Sequence, residues 1–343
     1  MEIKHNYNLT KFNTFGIDVS AKFFAELQSE EDIGELFARP EFQNSEKVFL
    51  GGGSNVLLTR DWDGILILNR LRGIQVTGEN AESVVLRVMG GEVWHDLVEF
   101  AVARELWGIE NLALIPGSVG AAPMQNIGAY GAELKDTLQF VEAYELATGA
   151  KKIFSKEECA LGYRDSVFKN ALRGKYFISA IILKLAKRGE AKTDYKILKE
   201  YLTKNNIEVK EPKDISEAVA AIRRSKLPDP KIIPNAGSFF KNVFVTKEQL
   251  QKLQTIHPDL PYFEEDGRIK IPAGWLIEKA GPADGTSWKG YREGSVGVHE
   301  KQALVLVNYG GATGEEILEL ANKIIASVKE KFNLTLSPEV NIV

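Results

Sequence analysis

Residues 48–58 read Val48-Phe49-Leu50-Gly51-Gly52-Gly53-Ser54-Asn55-Val56-Leu57-Leu58. An apolar run that breaks into three glycines invites a dinucleotide-binding βαβ reading, and the sequence refuses it. That fingerprint needs a further glycine where Val56 stands and a long helix after the turn. Here Asp61-Trp62-Asp63-Gly64 follows within a few residues and opens another strand. A strand, a triple-glycine loop and a second short apolar run suit a different task. Successive backbone N–H groups in such a loop form a nest for an anion, and Ser54 and Asn55 add donors. A plain glycine-rich turn is the simpler reading. Three consecutive glycines exceed what a turn requires, so phosphate binding is the expectation.

Working outward, a second stretch carries the same message. Ile115-Pro116-Gly117-Ser118-Val119-Gly120-Ala121-Ala122-Pro123-Met124-Gln125-Asn126-Ile127-Gly128-Ala129-Tyr130-Gly131 has small residues at most positions. Another group must approach this backbone closely, and Ser118, Gln125 and Asn126 can hydrogen-bond it. Close helix–sheet packing accounts for the small residues but not for the interspersed polar ones. Strand patterns dominate the first half: Gly64–Leu68, Val84–Val88, Phe140–Tyr144, Ile153-Phe154 and Tyr176–Leu183. Between them Val93, Leu97, Phe100 and Ala101 recur at helical spacing. The second half is more helical, over 195–205, 215–224, 247–256 and 313–332. In the last of these Thr313 precedes Glu316 by three residues, a capping box. The proline-rich patch Leu227-Pro228-Asp229-Pro230 to Pro234 separates this helical region from a final module.

Composition narrows the function classes. At 343 residues the chain has room for two or three domains. Its 43 basic against 47 acidic residues give a net charge of −4, which disfavours nucleic acid as the main partner. No apolar run reaches the roughly 18–20 residues of a membrane helix. The opening Met1-Glu2-Ile3-Lys4-His5 lacks the layout of a signal peptide. One cysteine, Cys159, and four scattered histidines exclude an internal disulfide and a cysteine-built zinc site, and no metal is expected.

The pairing of Gly51–Asn55 with Pro116-Gly117-Ser118-Val119-Gly120-Ala121-Ala122-Pro123 resembles the UDP-N-acetylenolpyruvoylglucosamine reductase family. The resemblance runs on through Asn13-Thr14-Phe15-Gly16, Gly162-Tyr163-Arg164-Asp165-Ser166 and Lys226-Leu227-Pro228-Asp229-Pro230. Asn235-Ala236-Gly237-Ser238-Phe239-Phe240-Lys241-Asn242, Ala273-Gly274-Trp275-Leu276-Ile277 and Pro338-Glu339-Val340 complete it in the family's order. What it implies is an α+β protein with the two-subdomain FAD-binding fold of the vanillyl-alcohol-oxidase type. The expected divisions are 1–72 and 73–228 for FAD, with a substrate-covering loop near 190–205. A C-terminal α+β substrate-binding domain follows at 229–343, its tail returning to the active site.

The implied reaction is NADPH-dependent reduction of UDP-N-acetylglucosamine enolpyruvate to UDP-N-acetylmuramate, by way of FAD, in peptidoglycan precursor synthesis. Hydride goes to C3 and a proton to C2. The resemblance assigns FAD contacts to Gly51, Gly52, Gly53, Ser54, Asn55, Pro116, Gly117, Ser118, Gly120, Ala121, Gln125, Asn126, Gly128 and Arg223. It assigns substrate contacts to Tyr195, Lys226, Asn242, Lys289 and Gln302. Ser238 matches the proton donor, with Arg164 and Glu339 in the active site. These types suit the chemistry: negative charge develops at C2 and the attached carboxylate, which calls for an acid and a cation. A guanidinium fork holds a carboxylate bidentately. Alone, Ser238 reads as a turn residue, Arg164 as an ion-pair partner of Asp165, and Glu339 as a solvated tail. Leu334, Leu336, Val340 and Ile342 alternate around Glu339 and argue for a docked strand. A cytoplasmic monomer that binds neither nucleic acid nor membrane is expected. Two alternatives stand beside this one: another flavoprotein of the same fold, and a flavin-free nucleotide-sugar binding protein. The colour of the purified protein separates the last from the others.

In some flavoproteins of this fold a His or Cys of the first loop tethers the flavin, and Gly51–Asn55 holds neither. Acid precipitation is therefore expected to release all the flavin into the supernatant. Colour retained in the pellet would show a covalent bond.

Overall fold

The computed structural model describes residues 1–265, 267–283 and 285–343. Its chain divides into two compact units, one of Met1–Tyr7, Ala21–Gly52 and Trp62–Ser225, the other of Asn8–Ser20, Gly53–Asp61 and Lys226–Val343.

The first unit holds two sheets. In one, the strand order is Ile3–Asn8, Ser20–Leu27, Trp62–Asn69, Lys47–Leu50. The last three are parallel, with Phe24 opposite Leu66 and Val48 also opposite Leu66 on the other side. Trp62–Asn69 is central, so Ile65, Leu66, Ile67 and Leu68 are all buried, as a strand covered on both faces requires. Helix Glu30–Phe37 starts at a Ser29/Asp32 capping box and turns Ile33 and Leu36 inward. The second sheet is antiparallel, in the order Lys151–Ser155, Leu138–Glu145, Tyr176–Ala186, Ser83–Met89, Ile74–Glu79. Helices Trp94–Val102 and Pro212–Lys226 bury Trp94, Leu97, Ile215 and Val219 in one core with Leu86, Val88 and Leu183.

The expected division at residue 72 is not a unit boundary. Ala25, Leu27, Ile65 and Ile67 of the first sheet share a core with Met89, Phe177 and Ala180 of the second. Arg87 reinforces the junction, donating to Glu142 at 2.7 Å and to Glu30 at 3.0 Å, while Lys151 reaches both carboxylates. The first unit ends at Ser225, just before the proline-rich patch, and residues 8–20 and 53–61 belong to the second.

The second unit is built on an antiparallel sheet ordered Asn235–Ser238, Val305–Asn308, Val296–Val298, Arg292–Glu293. Helix Gly314–Phe332 opens on the expected Thr313/Glu316 capping box and buries Ile317, Leu320, Ala321, Ile324 and Val328 along one face. A three-stranded sheet, Val243–Val245, Arg268–Ile271 and Phe263–Glu265, stands beside helix Ala273–Ala280. The C-terminal segment is docked. Asn341–Ile342 runs parallel to Val56–Leu57, and Leu334, Leu336 and Val340 are buried. Ile342 departs from the expected alternation and is 38% exposed, because its two-residue strand has only one neighbour.

Burial works to raise the Glu142 carboxyl, but hydrogen bonds from Arg87 and Lys151 outweigh it and hold the group below 4.5. A depressed carboxylate stabilises the fold above its unfolded value and loses that contribution as pH falls through the folded one. Glu142→Gln is therefore expected to cost about 1–3 kcal/mol at neutral pH. It should also flatten the loss of stability below pH 4.5, read as thermal midpoint against pH.

Candidate functional site

In the first unit the two glycine-rich stretches meet backbone to backbone. A Cβ on Gly51 would collide with Ser118 Oγ, and one on Gly52 would lie 3.2 Å from Gly117 Cα. Gly120 packs equally tightly, its absent Cβ 3.1 Å from the Gly90 Cα. Among the described residues, no protein acceptor pairs with the backbone N–H groups of Gly52, Gly117 or Ser118. Amides held this close, without an acceptor among the described residues, fit the diphosphate of a dinucleotide such as FAD. Pro116 and Ala121 are exposed beside them, and Gln125 is partly exposed.

Beyond this cradle the chain bends sharply. The 3-10 helix Val119–Gln125 ends at Asn126, which caps it in left-handed geometry (φ 43°). Gly128-Ala129 then pairs with Ala132-Glu133 through a Tyr130-Gly131 turn, with φ of 49° and 83°. Positive φ at both central positions defines the type I′ hairpin. A similar two-residue turn, Tyr163-Arg164, closes between Gly162 and Asp165, with Arg164 at φ 50°. The Arg164 guanidinium donates to the Gly128 carbonyl at 2.8 Å. Of the nine non-glycine residues with positive φ among the described residues, Leu114, Asn126, Tyr130 and Arg164 all belong to this neighbourhood. Strain gathered in one place marks a functional site when the surroundings hold it there.

Arg223 comes to the same neighbourhood from helix Pro212–Lys226. Its Nε donates to the Leu114 carbonyl at 3.2 Å, and the Tyr130 phenol is near enough to act on its guanidinium. Burial pulls this guanidinium below its ordinary value; Tyr130 opposes that, and the like charge of Arg164 adds to it. Burial also raises the Tyr130 phenol, with Arg223 opposing. The groups acting on Arg223 are thus a neutral phenol and a second arginine, a setting that calls for an anion. Tyr195 caps helix Lys196–Lys204, is 46% exposed, and sets its ring edge-on to Tyr130 at 5.5 Å.

Asn126 does not fit its expected place as a cofactor contact. It is fully buried, and its side chain is taken up within the chain: Oδ1 accepts from Lys135 N–H, while Nδ2 donates to Glu133 and to the Gly162 carbonyl, each at 3.0 Å. Two residues that the sequence reading passed over matter here. Tyr130 lay inside the glycine-rich run with no signal beyond its place before Gly131. Buried Asn111 donates to the carbonyls of both Tyr130 and Lys192, tying the hairpin to the lead-in to Tyr195.

In the second unit Ser238 ends the strand Asn235–Ser238, opposite Val305. Gly237 before it has φ 71°, a value that favours glycine, and the buried Asn235 side chain accepts from Gly237 N–H at 2.9 Å. Phe239 and Phe240 follow, both buried. Glu339 is brought alongside, its N–H donating to the Phe239 carbonyl at 2.7 Å, with Phe240 bridged to Pro338. Gly53 has φ 62° and a Cβ there would collide with the Phe12 carbonyl; Ser54 follows it, and Asn55 donates to the Glu339 carbonyl at 3.4 Å. Asn242 accepts from Ala273 N–H at 3.0 Å at the start of helix Ala273–Ala280, and Gln302 faces Gly274 of the same turn. Lys289 stands apart from these, paired at 3.0 Å with Glu278 farther along that helix. Lys226 is exposed at the end of its own helix.

The described helices include none long and apolar enough to cross a membrane. Residues 229–343 match the family model for the UDP-N-acetylenolpyruvoylglucosamine reductase C-terminal domain, and residues 21–153 match an FAD binding domain. A UDP-N-acetylenolpyruvoylglucosamine reductase from Chromobacterium violaceum is 45% identical over 99% of this chain and 98% of its own length. The protein of the same name from Flavobacterium johnsoniae is 44% identical over the full length of both. Among solved structures, UDP-N-acetylenolpyruvylglucosamine reductase from Thermus caldophilus superposes with a TM-score of 0.65 at 22% identity, covering 99% of this chain and 98% of that one, a likeness of fold.

Arg223→Gln keeps a donor and removes the charge. The affinity of the apoprotein for FAD, titrated by flavin fluorescence, is expected to fall about tenfold or more, the scale of a lost charge-assisted hydrogen bond. Unchanged affinity would take Arg223 out of the cofactor site.

Proposed function

The chain belongs to the UDP-N-acetylenolpyruvoylglucosamine reductase family, and from that premise we infer that it reduces the enolpyruvyl group of UDP-N-acetylglucosamine enolpyruvate to give UDP-N-acetylmuramate. The enzyme is an FAD-dependent oxidoreductase of peptidoglycan precursor synthesis. When bound, FAD would supply the hydride for C3 of the enol ether, with NADPH as its proposed reductant. What remains for the protein is to hold the nucleotide, stabilise the charge that appears at C2 and deliver one proton there.

Ser238 is the group proposed to deliver it. A serine hydroxyl is a weak acid, so its geometry and its neighbours must do much of the work. The observation that carries the assignment is the 2.7 Å hydrogen bond from Glu339 N–H to the Phe239 carbonyl, which fixes a carboxylate-bearing residue beside the serine turn. The two residues that follow, Phe239 and Phe240, are buried, so the serine borders an apolar core where hydrogen bonds count for more. Asn235 holds Gly237, so the loop need not reorganise when charge develops.

Arg164 is proposed as the cation for the substrate carboxylate and Glu339 as support for the charged intermediate. Gly52, Gly117 and Ser118 would hold the FAD diphosphate through backbone amides, with Gly51 and Gly120 allowing the close approach. Tyr195, Lys226, Asn242, Lys289 and Gln302 would contact the nucleotide sugar. Lys289 must then exchange Glu278 for phosphate, and Asn242 would meet the substrate beside the start of the helix whose Ala273 N–H its Oδ1 accepts. We further propose a cytoplasmic monomer, in the compartment that supplies nucleotide sugars and reduced pyridine nucleotide.

The two half-reactions separate the roles. Ser238→Ala nearly preserves volume and removes the hydroxyl, so FAD content and reduction by NADPH should be unchanged. Anaerobic reoxidation of the reduced flavin by the enolpyruvyl nucleotide should slow by several powers of ten, with Ser238→Cys faster than Ser238→Ala. Reoxidation at the unmodified rate would make Ser238 a bystander and Glu339 the acid.

A further inference from the structure

Arg164 is held in a backbone conformation that arginine does not choose. Its φ of 50° lies at the tip of a two-residue turn whose closing hydrogen bonds, Gly162 N–H to Asp165 and Asp165 N–H to Gly162, are 3.1 and 3.2 Å long. A left-handed non-glycine residue persists only where neighbours over-determine it. Two such neighbours are visible, one at each end of the turn. At its start, Asn126 Nδ2 donates to the Gly162 carbonyl at 3.0 Å. At its end, the buried Ser166 hydroxyl donates to the Met124 carbonyl at 2.7 Å. Both lead to the last turn of the same 3-10 helix, Val119–Gln125, and its cap.

Asn126 has a second hold. The same amide donates to Glu133 at 3.0 Å, and its Oδ1 accepts from Lys135 N–H at 3.0 Å. Glu133 is opposite Gly128 in the hairpin, and the Gly128 carbonyl accepts from the Arg164 guanidinium. A Cβ at Gly128 would lie 2.9 Å from Glu133 Cγ and 3.3 Å from Arg164 Nη1, so these groups are in close register. One buried carboxamide therefore ties the backbone that carries Arg164 to the hairpin that receives its guanidinium.

We propose that Asn126 is a positioning residue for Arg164: it touches neither cofactor nor substrate through its side chain, and it aims the guanidinium by fixing both the turn and the hairpin. This deepens the reductase reading and rests on it. A side chain at this cap must also tolerate φ 43°, which asparagine does better than most residues.

Asn126→Gly tests the idea, because it keeps the left-handed cap and deletes only the carboxamide. FAD content and the rate of reduction by NADPH are expected to match the unmodified protein. Reoxidation by the enolpyruvyl nucleotide should slow about 10- to 100-fold, the scale of a catalytic group displaced by an ångström. In an Arg164→Ala background the same change should cost less than about threefold, since there is no guanidinium left to aim. Ser166→Ala, which loosens only the far end of the turn, should give a smaller loss with the same dependence on Arg164, and it serves if the glycine variant does not fold. Equal losses with and without Arg164 would overturn the proposal, as would loss of FAD, which would return Asn126 to the cofactor site. If the unmodified holoenzyme is itself not reoxidised by the enolpyruvyl nucleotide, the reductase reading falls first and takes this one with it.

Discussion

No side chain fits at position 51. A Cβ there would collide with Ser118 Oγ, and at the next residue only 3.2 Å separates the absent Cβ from the Gly117 backbone. Much of the first unit is arranged around that approach. The parallel sheet ends its Lys47–Leu50 strand at the first loop, and the second stretch is secured by Trp94 N–H to Gly117 and Val119 N–H to Glu92. Both sheets share the core that includes Ile65, Ile67, Phe177 and Ala180, so the two loops are held by rigid elements. Backbone amides presented from such a frame need no ordering when an anion arrives, which is the physical merit of using glycine here.

How far this could be read in advance differs by element. Helix Gly314–Phe332 was legible because its apolar spacing, its capping box and its buried face all agree. The strand Trp62–Asn69 was legible because burial on both faces makes its interior uniformly apolar. Strands Ile3–Asn8 and Asn235–Ser238 were not, since Lys4, His5 and Asn6 in one and Gly237 in the other give no strand periodicity and depend on tertiary partners. That the two sheets on either side of residue 72 share one unit was not legible, because a shared core leaves no trace in composition.

The site was legible in its chemistry more than in its wiring. Residue types that suit charge development at a carboxylate could be named, and the Glu339 N–H donates to the carbonyl of Phe239, the residue after Ser238. Asn126 could not be assigned in advance, because an asparagine in a glycine-rich run looks the same whether its amide faces a ligand or the chain. Tyr130 was missed for a related reason: its influence on Arg223 joins residues far apart in sequence. Lys289 and Asn242 show the complement, side chains whose present partners, Glu278 and the Ala273 amide, are structural.

The four left-handed residues Leu114, Asn126, Tyr130 and Arg164 also bear on any attempt to make this protein sturdier. Each carries a conformational penalty that glycine would relieve, so a search for heat-resistant variants would be drawn to these positions. At Asn126 and Arg164 the side chain that causes the penalty also makes hydrogen bonds of the site. Gains in melting temperature taken there would be exchanged for turnover, and hardening the scaffold is better directed to sheet edges and exposed helix faces.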